Sequence, residues 1–185
     1  MFSPLVLPWT RQTTRFLADF RIFTIRSDVK TSPRTGHQHD FFVIDCPNWV
    51  NVVAVTTDRQ LVMVEQFRHG TDTVDLEIPG GVIDRTDASP LEAGVRELRE
   101  ETGYEGSGAR LIGDIRPNPA IMSNLCFTLL VEDCERKHAT QLDHGEDIAC
   151  RLVDLEEIPR LVAQGVIRHS LVVTALYFYE LQRQR

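Results

Sequence analysis

Residues Gly80–Tyr104 read GGVIDRTDASPLEAGVRELREETGY. Within them, Arg96-Glu97-Leu98-Arg99-Glu100-Glu101-Thr102-Gly103 crowds three glutamates into one short segment. The flanking residues specify a helix. Ser89-Pro90-Leu91-Glu92 has the form of a capping box with proline at the first helical position, and Gly103 is a usual C-terminal stop. At roughly 100° per residue, Glu100 falls about 60° to one side of Glu97 and Glu101 about 40° to the other. The three carboxylates therefore share a face. Leu91, Val95, Leu98 and Thr102 group on the opposite side, which is the expected buried stripe. Like charges at this spacing repel. A divalent cation reverses the sign of that interaction, and hard oxygen ligands suit Mg²⁺ or Mn²⁺. The plainer alternative is a solvated helix with Arg96–Glu100 as an i, i+4 ion pair; the Gly-Gly turn ahead of the helix favours the metal site.

The segment resembles the Nudix box, the signature of hydrolases that cleave nucleoside diphosphates linked to another group. The second half of that pattern, from Arg96 to Tyr104, matches in full. The first half departs: Asp87 stands where the family has glutamate, and one extra residue separates it from Arg96. The insertion lies ahead of the helix cap, where a loop absorbs it. The role of the loop acid stays open; the helix carboxylates are unaffected.

Composition agrees with a globular enzyme. The 185 residues are 42% hydrophobic and 25% charged, enough for one domain with an ample core. A net charge of −7 argues against a nucleic-acid binder that relies on bulk electrostatics. Cys46, Cys126, Cys134 and Cys150 form no CxxC pair and read as reduced residues of a cytoplasmic protein. No apolar run approaches the roughly 20 residues that span a membrane, and the N-terminus lacks the pattern of a signal peptide.

Apolar alternation and turn residues predict strands at Phe20–Val29, Phe41–Cys46, Val50–Thr56, Leu61–Phe67, Val74–Ile78, Ala109–Ile115, Leu125–Glu132 and Asp147–Val153. Leu155–Gln164 and His169–Gln182 read as helices. The expected organisation is a β-rich element over residues 1–46 and a main domain over 47–185. The fold class is α/β with a mixed sheet; the Nudix resemblance implies an α/β/α sandwich, with the N-terminal element contacting a second subunit in a homodimer.

Further residues resemble the ADP-ribose and nucleoside-diphosphate-sugar pyrophosphatase branch: Glu65-Gln66-Phe67-Arg68, Leu76-Glu77-Ile78-Pro79-Gly80-Gly81, the loop Arg116–Ser123 with Pro119, and Asp143-His144-Gly145-Glu146-Asp147-Ile148. The resemblance implies hydrolysis of a diphosphate bond in a small nucleoside diphosphate derivative. It implies metal ligation by Glu97, Glu100, Glu101 and the Gly80 carbonyl, and a general base at Glu146, with Asp143 and His144 as alternates. Arg68, Glu77 and Pro119 are the implied substrate contacts, with Arg68 gripping the diphosphate, and Arg96 orients a glutamate. A GDP-mannose-type or broad nucleotide-sugar hydrolase, and a Nudix-fold module that binds without cleaving, are the alternatives. His37, His39 and His69 form no convincing metal set; Trp49 and Phe20 read as core aromatics, with stacking on a base as the alternative.

Overall fold

The computed structural model describes residues 4–184, which divide into two compact units. In the first, Thr10–Asp19 (β1), Thr24–Thr31 (β2) and Gln38–Asp45 (β3) form an antiparallel meander in that order. The segment Arg116–Asn124 belongs to this unit; it is tied to β3 by the Ile44 N–H, which donates to the Ile121 carbonyl at 2.7 Å. The strand expected to begin at Phe20 begins at Thr24. Phe20–Phe23 is a turn, with Arg21 at φ 70° and its N–H donating to Asp19 Oδ1 at 2.7 Å, a local bond that aspartate supplies in turns. Phe20 is accordingly exposed rather than core.

The second unit holds the remaining elements: Trp49–Thr56 (β4), Gln60–Arg68 (β5), Thr73–Glu77 (β6), Gly80–Val82 (β7), helix Pro90–Thr102 (α1), Tyr104–Ile115 (β8), Cys126–Arg136 (β9), Ile148–Asp154 (β10), and helices Ile158–Ala163 (α2) and Ser170–Arg183 (α3). The sheet runs β10-β5-β4-β9-β8, with β6 on β5 and β7 on β4. Only β4–β9 is parallel among the strand pairs described.

β4 is apolar on both faces because both are covered. Val53 and Val55 join Leu61, Met63, Val172, Ala175 and Leu176 on the α3 side. Val50, Val52 and Ala54 join Val62, Ala93, Leu98 and Leu129 on the α1 side. The period-2 alternation of the strand thus feeds two cores, giving the expected α/β/α sandwich. The helix expected over Leu155–Gln164 is split into a 3₁₀ turn, Leu155–Glu157, followed by α2. Pro159 has no N–H to continue a ladder and sits in the first turn of α2. No helix among the described residues is long and apolar enough to cross a membrane.

α1 is capped as its sequence predicts. Ser89 Oγ accepts the Glu92 N–H, and Gly103 closes the helix at φ 75°. Its buried face, however, is not the expected one. Leu91 and Val95 are exposed by 37% and 36%, while Ala93, Gly94, Glu97, Leu98, Glu101 and Thr102 are buried. The helix lies close to the sheet through its small residues, which turns Leu91 and Val95 outward and draws two glutamates in. Leu98→Ala should therefore cost about 3 kcal/mol in a denaturant titration, as deletions in a filled core do. Val95→Ala should cost less than about 1 kcal/mol.

Candidate active site

Gly80 and Gly81, expected from the sequence as a turn, instead open strand β7 against β4 and meet α1 at close range. A Cβ at Gly81 would lie 2.5 Å from Glu97 Oε1, and one at Gly80 would lie 2.2 Å from the Val50 carbonyl. Only glycine leaves room there. The Gly80 N–H donates to Glu101 Oε2 at 3.0 Å. Glu97 and Glu101 are 9% and 4% exposed.

Burial, the largest influence, pushes Glu97 up to about 7, against the pull of Arg96. Burial likewise pushes Glu101 up to about 8, against the Gly80 hydrogen bond. The charge of Glu146 adds to both shifts, so the loop that carries it lies within electrostatic range of the helix carboxylates. Within that loop the Asp143 N–H donates to Glu146 Oε2 at 3.0 Å.

Arg96 organises the outer side. Its Nε and Nη2 donate to Asp87 at 3.1 and 2.9 Å, Nη2 also to the Val82 carbonyl at 3.2 Å, and Nη1 to Glu97 and Glu100 at 3.0 Å each. All five guanidinium N–H groups thus have acceptors. The loop acid left open by the sequence is an anchor for this arginine. The hydrogen bonds from Arg96 hold the Asp87 carboxyl below its usual range. Glu100 is the most exposed of the three glutamates, with 37% of its side chain accessible.

Arg68 and Glu77 form a second group. Glu77 is 2% exposed and accepts Arg68 Nε at 2.6 Å, Arg68 Nη2 at 2.9 Å and His169 Nδ1 at 2.6 Å. Burial pushes Glu77 up, but the bonds from Arg68 and His169 outweigh it and hold the group at about 2. Glu77, expected as a substrate contact, is held by Arg68 and His169 and lines a cavity of about 680 Å³ with them. The Arg68 and Glu101 charges act on each other, so the two groups are neighbours. A cavity of about 330 Å³ beside them is lined by Trp49, Asn51, Arg68, Gly80, Gly81, Val82, His169 and Leu171.

Pro119 lies in the first unit, lining a separate cavity with Trp9, Arg26, Lys30 and Phe41. His169 and Asn51 are the site-lining residues that the sequence reading missed. A histidine immediately ahead of α3, where serine or aspartate usually caps, is the signal that was available.

Residues 47–175 match the NUDIX domain family. The chain belongs to the Nudix family. Among relatives, it is 28% identical over 141 residues to a methanol dehydrogenase activator of Bacillus methanolicus, with 76% of each chain covered. It is 27% identical over 141 residues to an ADP-ribose pyrophosphatase of Bacillus subtilis, again with 76% of each covered. A solved structure, described as an ADP compounds hydrolase, superposes with a TM-score of 0.85 over 98% of this chain and 97% of the other, at 20% identity. That likeness supports the Nudix fold.

The Nudix carboxylates suit a hard cation by their chemistry. Glu97 and Glu101 are buried, and their raised titration shows an anionic form short of counter-charge. Among the described residues, no three acidic, imidazole or thiol groups converge closely enough to hold an ion as they stand; Arg96 Nη1 bridges Glu97 and Glu100 instead.

The two raised carboxyls carry a stability signature. Folded, they keep their protons up to about 7 and about 8, whereas the reference value is 4.5. Between those limits the folded chain binds more protons than the unfolded chain, so stability falls as pH rises. Glu77 and Asp87, shifted downward, contribute with the opposite slope at lower pH. In a chelator, the thermal midpoint of the Nudix unit should be lower at pH 8 than at pH 5. Glu101→Gln should flatten that dependence.

Proposed function

We propose that this Nudix protein hydrolyses the diphosphate bond of ADP-ribose or a related nucleoside-diphosphate sugar, using Mg²⁺ or, in its place, Mn²⁺. Products are AMP, or another nucleoside monophosphate, and a sugar phosphate. The observation that carries the reading is the pair of buried carboxylates, Glu97 and Glu101, packed against Gly80–Gly81 with Glu146 in electrostatic range. A binding-only module has no use for buried anions that lack counter-charge. The name of the Bacillus subtilis relative supports the substrate class.

Glu97, Glu100, Glu101 and the Gly80 carbonyl would hold the cation. When bound, the cation withdraws charge from the diphosphate oxygens and so lowers the barrier to nucleophilic attack. Arg96, fixed by Asp87, holds Glu97 and Glu100 in place. Arg68, fixed by Glu77, offers its remaining guanidinium edge to the diphosphate. Glu146 takes a proton from the attacking water, with Asp143 hydrogen-bonded to it in the same turn. Pro119 is assigned to the substrate on sequence resemblance alone. A second copy of the chain covers the N-terminal strands; the exposed apolar side chains of that unit, among them Phe16, Phe20, Ile22 and Phe42, support this.

The test is a panel of nucleotide sugars incubated with Mg²⁺ and assayed for nucleoside monophosphate. ADP-ribose should be cleaved; binding of the panel without any turnover would sink the hydrolase reading. Glu101→Gln should keep the fold and lose at least about tenfold in turnover, because a ligand carboxylate is removed while the packing is kept. Mg²⁺ should raise the thermal midpoint of the wild type at pH 8, where proton competition is weakest, and should do so less for Glu101→Gln.

A further inference from the structure

His169 is the N-cap residue of α3, yet its side chain makes no cap hydrogen bond. The helix therefore gives no reason for a histidine there. The ring turns to Glu77 instead, with Nδ1 at 2.6 Å from Oε2. A carboxylate held ionised can only accept, so Nδ1 carries the proton and donates. Nε2, across the ring, is left for something else. Arg68 is in the same condition: Nε and Nη2 are spent on Glu77, and Nη1 has no acceptor among the described residues.

Both side chains line the 330 Å³ cavity, and so does Asn51. Asn51 Nδ2 is buried and has no hydrogen-bond partner. A buried donor without an acceptor is costly, and it points to a ligand that supplies one. Three nitrogen-bearing side chains thus face one cavity that also borders Gly80 and Gly81. An anion there would meet the ring at Nε2, the nitrogen not engaged by Glu77. Other charged or titratable groups nearby are Glu101, Arg168, which pairs with Asp75, and His69, Asp75 and Asp147 along an adjoining cavity of about 680 Å³ that Arg68, Glu77 and His169 also line.

We propose that His169 is a substrate-contacting residue: with Arg68 and Asn51 it forms a wall that binds a phosphate oxygen of the substrate, and buried Glu77 is the positioning residue that holds Arg68 and His169. This rests on the reading of the site as a diphosphate hydrolase.

Two substitutions separate contact from scaffolding. His169→Asn keeps a donor where Nδ1 meets Glu77 and removes the outward nitrogen. His169→Gln reaches further and keeps a donor near Nε2. Binding of ADP-ribose and of inorganic pyrophosphate is measured by calorimetry in EDTA, and KM and kcat for ADP-ribose with Mg²⁺, with thermal midpoints confirming the fold. His169→Ala and His169→Asn should weaken binding and raise KM by about tenfold, the usual effect of losing one charge-assisted hydrogen bond, and His169→Gln should recover most of it. Wild-type affinity in His169→Asn, or a wild type that binds neither probe, overturns the proposal. Absence of turnover in every protein, with the binding series as expected, removes the hydrolase reading and leaves the anion wall standing. Normal turnover with equal binding by all variants does the reverse.

Discussion

At position 94 a Cβ would lie 2.7 Å from Leu129 Cδ2 and 3.1 Å from Val50 Cγ2. α1 consequently approaches β4 and β9 closely at this point, with Ala93 and Leu98 packed into the same seam, and the geometry of the site follows from that approach. Glu97 and Glu101, three and seven positions further on, are carried into the seam between helix and sheet. There they meet Gly80 and Gly81 of β7, whose lack of side chains leaves room for them.

The site keeps its negative charge in two different states. Half-buried Asp87 is answered by Arg96, buried Glu77 by Arg68 and His169, and both titrate below their usual range. Glu97 and Glu101 are buried with too little answering charge, and both titrate well above it. Paired acids of the first kind are scaffolding: they fix Arg96 and Arg68 in direction. Underpaired acids of the second kind are chemically poised, since desolvation makes them demand a cation. The division falls within a few ångströms, so burial alone does not distinguish the roles; the partners do.

What the sequence made legible was what is local. The caps of α1, the carboxylate spacing and the apolar runs of β4 and β5 depend on neighbours in the chain, and the structure keeps them. The buried face of α1 was misread because the contact at Gly94 is tertiary: hydrophobicity pointed to Leu91 and Val95, whereas the absence of a side chain decided the orientation. β1 escaped notice because almost every residue in it is exposed, leaving no alternation to detect. The Glu77–His169 bond joins residues 92 positions apart, a separation that no motif spans. The Nudix resemblance supplied the substrate-facing roles, and the chain's own geometry supplied Asp87, whose shorter side chain still reaches Arg96 with both oxygens.

The parallel pairing of β4 with β9 sets Trp49 beside Cys126 and Val53 beside Leu130. The two central strands come from opposite sides of α1 in the chain, so their pairing closes a long loop. Without β9, α1 has no Leu129 to lie on. During synthesis the segment that bears the chemistry therefore leaves the ribosome well before the strand that buries it. The growing chain is spared a desolvated charge cluster at the stage when it has least structure to hold one.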